Sequence, residues 1–143
     1  MTKVFIDGSA GTTGLRIADR LKTRRDMELI CLPEELRKDV GARKEALYSA
    51  DIAFLCLPDA AAVEAVALAE GSSVKIIDTS TAHRTNPDWA YGFAELSAEH
   101  REKIVSSSRI ANPGCHASGF IALVAPLVEK GLIGKDEALS CFS

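Results

Sequence analysis

Several broad classes are excluded by what the sequence has little of. No apolar run approaches the ~18 residues that would cross a bilayer, so no membrane partner is expected. Lys and Arg number 17 against 20 Asp and Glu, and a net charge of −3 leaves no basic footprint for nucleic acid. The four cysteines, Cys31, Cys56, Cys115 and Cys141, lie far apart without a C-x-x-C pair, which suggests neither a metal clip nor a disulfide framework. No metal site is expected. Met1-Thr2-Lys3-Val4 leads straight into a strand-like segment, so no signal peptide is expected and a reduced, cytoplasmic setting fits. What is present, 47% apolar and 26% charged residues over a length of 143, is the makeup of an ordinary globular chain able to bury one core.

The hydrophobic pattern alternates in type along the chain. Lys3–Asp7 reads as a buried strand, and a helical pattern follows with Leu15, Ala18 and Leu21 on one face. Glu28–Leu32 reads as a second strand carrying Cys31 as a core thiol, followed by a helix through Leu36, Val40 and Leu47. Ile52–Leu57 is almost wholly apolar, the mark of a strand covered on both faces. Ala60–Glu70 is helical, with Ala62, Val63, Val66 and Leu68 available for packing; Val74–Ile77 is the next strand. Such alternation predicts an α/β fold, a Rossmann-type doubly wound parallel sheet. Further strands and helices follow: a short helix over Ala98–Lys103, a strand within Ile104–Ala111 and a long helix over Ala117–Glu129. Ala138–Ser143 reads as a strand getting under way, so the chain is expected to be part of something longer.

The first strand runs into Gly8-Ser9-Ala10-Gly11-Thr12-Thr13-Gly14 and then a helix start, the arrangement of a phosphate cradle. The spacing is G-x-x-G-x-x-G rather than G-x-G-x-x-G, so strand and helix context carry the assignment. A plain glycine-rich turn is the alternative. Glu34, placed 20 residues after Gly14, suits a ribose 2′-hydroxyl and NAD; Arg37, Lys38 and Arg43 suit the 2′-phosphate of NADP. These residues leave the choice of dinucleotide open. Because ligands bind beyond the carboxyl ends of parallel strands, the glycine turn, Pro58-Asp59 and Asp78-Thr79-Ser80 are expected to border one crevice.

Asn112-Pro113-Gly114-Cys115 delivers a cysteine to the start of the long helix. The helix's unpaired N–H groups and positive end favour a thiolate there, the form that attacks acyl carbon. A buried structural cysteine is the competing reading. A thiol needs a proton partner, commonly histidine. His100 lies in a polar run and reads as solvated; His116 is adjacent to Cys115, and helical neighbours point apart. His83 lies in the patternless stretch Thr79–Phe93, which also holds Arg84 and the only Trp. Long loops inside compact domains tend to be functional, and Arg84 could hold a carboxylate or phosphate, or form a solvent-facing ion pair.

Four linked motifs carry a family resemblance: Asp7-Gly8-Ser9-Ala10-Gly11-Thr12-Thr13-Gly14-Leu15, Asp78-Thr79-Ser80-Thr81-Ala82-His83-Arg84, Tyr91-Gly92-Phe93-Ala94-Glu95-Leu96 and Asn112-Pro113-Gly114-Cys115. Together they resemble the short-form N-acetyl-γ-glutamyl-phosphate reductases, within the larger aspartate-semialdehyde dehydrogenase group. That resemblance implies an NADP(H)-binding domain over residues 1–114, with 115–143 forming the cysteine helix and the beginning of an α+β catalytic and dimerisation domain. It implies an NADPH-dependent cytoplasmic enzyme of arginine biosynthesis, acting on a small acyl phosphate and homo-oligomeric at full length. Cys115 then matches the nucleophile, and Gly8, Ser9, Ala10, Gly11, Thr12, Thr13, Gly14, Pro58 and Ser80 the cofactor site. Arg84 and Asn112 match positions near the substrate, as Ser80 also does. The rival readings are an aspartate-semialdehyde dehydrogenase, a non-catalytic NADP-binding module and a thiol hydrolase.

Overall fold

A computed structural model describes residues 1–142. Six strands form one all-parallel sheet: β1 (Thr2–Asp7), β2 (Met27–Ile30), β3 (Ile52–Leu55), β4 (Lys75–Asp78), β5 (Ala90–Tyr91) and β6 (Arg109–Ala111). Their order is β2-β1-β3-β4-β6-β5. The chain leaves β1 for β2 on one side and returns to β3 on the other, so the strand order reverses between β1 and β3. That reversal opens a crevice outside the carboxyl ends of the two strands. The helices are α1 (Thr12–Leu21), α2 (Val40–Ser49), α3 (Asp59–Leu68), α4 (Ala98–Ser106) and α5 (Cys115–Glu129).

The core is built from Phe5, Leu55, Ala53, Ile76 and Ala111 of the sheet against Ala46 and Leu47 of α2 and Ala62 and Ala65 of α3. The alanines bring both helices close to the sheet. α1 buries only Gly14 fully, and α5 buries no residue fully, leaving Leu123 at 72% exposure.

The alternation of strand and helix read from the sequence is the observed architecture, with local differences. The expected helix through Leu36, Val40 and Leu47 is two elements. A 3-10 turn covers Glu34–Leu36, and α2 starts afresh at Val40, where Asp39 accepts a hydrogen bond from the Ala42 backbone N–H at 2.8 Å. Leu36 and Val40 are exposed, so only Leu47 of that stripe is core. Cys31 lies just past β2 and is exposed, not a core thiol. Val63 is also exposed. The stretch without pattern contains β5, which is only two residues long. α4 extends to Ser106 and takes over Ile104 and Val105 from the expected strand. His100 is partly exposed, and Ser97, the N-cap of α4, meets its Nδ1 at 2.8 Å. Ala138–Phe142 is irregular rather than a strand, and Ser143 lies outside the described residues.

Candidate active site

The glycine turn owes its shape to contacts that leave no room for side chains. Gly8 has φ +85°, and a Cβ there would lie 2.2 Å from the carbonyl oxygen of Cys56. At Gly14 a Cβ would lie 2.4 Å from the carbonyl oxygen of Gly8. The two glycines clamp the start of α1 onto the ends of β1 and β3. Gly11 is the N-cap of α1; no side chain caps that helix and no acid occupies its first turn, so its amino end can meet an anion.

Beside the turn lies a cleft of about 380 Å³, bordered by Gly8, Ser9 and Ala10 on one side and by Leu32, Arg37 and Lys38 on the other. Arg37 and Lys38 therefore face the cavity, whereas Glu34 does not border it. Arg43 also borders it, but its guanidinium is already engaged. Nε and Nη2 donate to Asp7 Oδ2 at 3.1 and 3.0 Å, and Nη1 donates to Glu64 at 3.2 Å. The expectation that Arg43 serves a 2′-phosphate is therefore corrected: it neutralises a buried carboxylate beneath the turn. Burial pushes the Asp7 carboxyl above its ordinary value, and the Arg43 guanidinium only partly offsets this.

Thr12, Thr13 and Gly14 form the first turn of α1, and Pro58 is the N-cap of α3. The loops after β3 and β4 are tied together, since Asp59 accepts hydrogen bonds from the backbone and hydroxyl of Thr81. Ser80 is turned inward: its hydroxyl donates to Asp78 Oδ2 at 2.7 Å and accepts from the Ala82 N–H at 3.2 Å. Its side chain is thus taken up within the loop.

Cys115 is the first residue of α5, is exposed, and has φ +44°. A β-carbon in the left-handed region costs ~1–2 kcal/mol. A reactive side chain held on a strained turn between strand and helix is a recurring device for presenting a nucleophile. Here β6, the Asn112-Pro113-Gly114 turn and α5 supply that frame, and the Asn112 side-chain amide braces it by donating to the Pro113 carbonyl at 3.0 Å. No side chain caps α5, so backbone N–H groups are not taken by one at its amino end. Gly92 lets the preceding loop pack on the turn, where a Cβ would lie 3.1 Å from the Ala111 carbonyl oxygen and 3.2 Å from Pro113 Cδ.

Arg84 underlies the cysteine turn. A Cβ at Gly114 would sit 2.5 Å from its Nη2, so glycine there is what admits the guanidinium. Arg84 Nη2 donates to the Thr79 carbonyl at 3.4 Å, and Nε is buried without a hydrogen-bond acceptor. A charged donor left without a partner beside an exposed thiol is suited to an anionic ligand. His83 is buried, its Nδ1 meeting Asp78 Oδ2 at 2.7 Å and its ring stacking on Trp89.

Asp78 was legible only as the end of a strand, yet its buried carboxylate gathers Ser80 and His83. A carboxylate followed two residues later by a serine is an Asx-turn signature, and that was the available signal. The Asp7–Arg43 pair left no comparable trace, because its partners lie far apart in the chain.

Residues 3–104 match the family described as semialdehyde dehydrogenase, NAD binding domain. N-acetyl-gamma-glutamyl-phosphate reductases of Brucella ovis and Brucella canis are each 55% identical over 139 residues, which is 96% of this chain and 45% of theirs. The chain thus spans less than half the length of these relatives. Aspartate semialdehyde dehydrogenase from Francisella tularensis shares the fold with a TM-score of 0.70 at 16% identity, over 92% of this chain and 42% of its own. The Candida albicans enzyme, solved with NADP, gives a TM-score of 0.59 at 15% identity, over 91% of this chain and 47% of its own.

Proposed function

The chain belongs to the semialdehyde dehydrogenase NAD-binding domain family, and from that membership we propose that it supplies the dinucleotide site and nucleophile of an NADPH-dependent N-acetyl-γ-glutamyl-phosphate reductase. The observation that carries this is Cys115, exposed on a left-handed turn with Arg84 packed beneath it. The Cys115 thiolate attacks the acyl carbon of the substrate; the carbon–oxygen bond to phosphate breaks, phosphate leaves, and a thioester forms. Arg84 holds the departing phosphate, and N–H groups at the amino end of α5 stabilise the oxyanion of the tetrahedral species. NADPH, when bound, supplies the hydride that reduces the thioester to a thiohemiacetal, which collapses to the semialdehyde and frees Cys115.

The residues present fit that cofactor. The pinched glycine turn and bare end of α1 suit a pyrophosphate, and Arg37 and Lys38 at the cleft suit a 2′-phosphate. With Glu34 off the cleft, NADP is favoured over NAD. Residues 1–114 act as the dinucleotide-binding unit and 115 onward begins the catalytic one; a cytoplasmic homo-oligomer accords with this reading.

The test is phosphate-dependent reduction of NADP in the presence of N-acetylglutamate semialdehyde, using protein expressed to the end of its reading frame. Turnover with that semialdehyde and not with aspartate semialdehyde is expected. The reverse preference would assign the other member of the group, and NADPH binding without turnover would leave a dinucleotide-binding module.

A further inference from the structure

Four side chains tie the loop after β4 into one assembly, and none of them is a nucleophile. Asp78 is fully buried at the carboxyl end of β4. Its Oδ1 accepts from the Ser80 N–H at 3.0 Å; its Oδ2 accepts from the Ser80 hydroxyl at 2.7 Å and faces His83 Nδ1 at 2.7 Å. The imidazole is held a second way, stacked on Trp89 with centroids 4.1 Å apart and planes 12° apart. A ring fixed at one edge by a carboxylate and on one face by an indole has neither tilt nor spin left to it.

The next residue is Arg84, whose guanidinium occupies the space that a side chain at Gly114 would take. Asp78 also holds the other side of the site through its backbone, since its carbonyl accepts from the Asn112 N–H at 2.8 Å. The residue that seats His83 thus also seats the start of the cysteine turn. We propose that His83 is a positioning residue, which sets Arg84 against the turn through its bond to Asp78 and so sets the anion-binding geometry beside Cys115. This rests on the reading of Cys115 and Arg84 given above. Displacing such a group by an ångström can cost ~100-fold.

The experiment compares His83→Asn, whose amide can donate from the place of Nδ1, with His83→Gln, whose longer amide cannot, and with His83→Phe, which keeps the stack on Trp89 but offers no donor. Two quantities are read. One is the dissociation constant of inorganic phosphate, from its protection of Cys115 against iodoacetamide with the modified peptide followed by mass spectrometry. The other is KM for phosphate beside KM for NADP in the phosphate-dependent assay.

His83→Gln and His83→Phe are expected to weaken phosphate by ~10- to 100-fold with KM for NADP changed less than about twofold. His83→Asn is expected to stay within a few-fold (about threefold) of wild type. Should His83→Phe fail to fold, the Asn and Gln pair decides alone. Equal phosphate affinity in those two variants overturns the proposal, as does a parallel rise in both KM values. A wild-type protein that binds phosphate at Cys115 but turns over neither semialdehyde refutes the reductase reading. The alkylation comparison still judges His83 in that case, and phosphate giving wild-type Cys115 no protection would overturn the inference itself.

Discussion

Replacing each glycine of the first turn with alanine separates what the fold requires from what the ligand requires. At Gly8 the methyl meets two obstacles. The φ of +85° is a left-handed conformation that costs an alanine ~1–2 kcal/mol. The Cβ would also stand 2.2 Å from the Cys56 carbonyl oxygen and 2.9 Å from its carbon, both backbone atoms. Those atoms cannot swing aside, because the Cys56 N–H donates to the Asp7 carbonyl at 2.8 Å and holds β3 to β1. Forced overpacking adds ~1–3 kcal/mol, so Gly8→Ala should lose ~2–5 kcal/mol of a typical 5–15. Gly14→Ala meets the Gly8 carbonyl oxygen at 2.4 Å but gains ~1 kcal/mol of helix propensity, so a smaller loss is expected. Gly11→Ala finds only that oxygen at 3.4 Å, an ordinary contact, and should lose no more than ~1 kcal/mol as a poorer helix cap. Urea unfolding gives the three stabilities and fluorescence titration gives NADPH affinity. Gly11→Ala is expected to fold yet bind NADPH at least ~10-fold more weakly, since glycine there permits close backbone approach. A Gly8→Ala variant as stable as wild type, or a Gly11→Ala variant as unstable as Gly8→Ala, would refute this reasoning.

Four further outcomes are expected. Cys115→Ser should lower kcat at least ~10³-fold while NADPH binding stays unchanged, as measured by turnover and titration side by side. Arg37→Ala and Lys38→Ala should each weaken NADPH by ~10-fold and leave NADH untouched, because a charge-assisted bond to the 2′-phosphate is lost. Arg43→Leu strands the buried Asp7 carboxylate without its cation, and denaturant unfolding at neutral pH should show a loss of ~3–5 kcal/mol. The raised Asp7 carboxyl also sets a sign with pH. The folded state holds its proton more tightly than the unfolded state, whose value is near 3.8, so stability should fall as pH rises from about there through the folded value. Asp7→Asn should flatten that slope in urea unfolding across the same range.

The sheet was legible because its strands announce themselves locally. Val4-Phe5-Ile6 and Ile52-Ala53-Phe54-Leu55 are apolar runs ended by turn residues, and the helices between them are spaced as parallel crossovers demand. β5 was not legible, since two residues carry no periodicity and become a strand only by lying beside β6. The split before α2 turns on a cap, Asp39, rather than on the stripe of apolar residues. At the site, the two turns were visible from glycine placement and from the strand–turn–helix order. The fate of Arg43 was not, because it is decided by a carboxylate on β1 that only the folded sheet brings within reach, and His83 is fixed by Asp78 five residues earlier, a spacing that fits no strand or helix period.

The backbone at position 115 has an evolutionary consequence. A glycine would sit there without complaint, and asparagine nearly so, whereas the cysteine found here sits against the local grain. On the proposed reading, a lineage that dispensed with the reaction would release this thiol from purifying pressure. Drift at this site would then run toward the more comfortable residue, and descendants that had lost the chemistry would melt later than the ancestors that kept it.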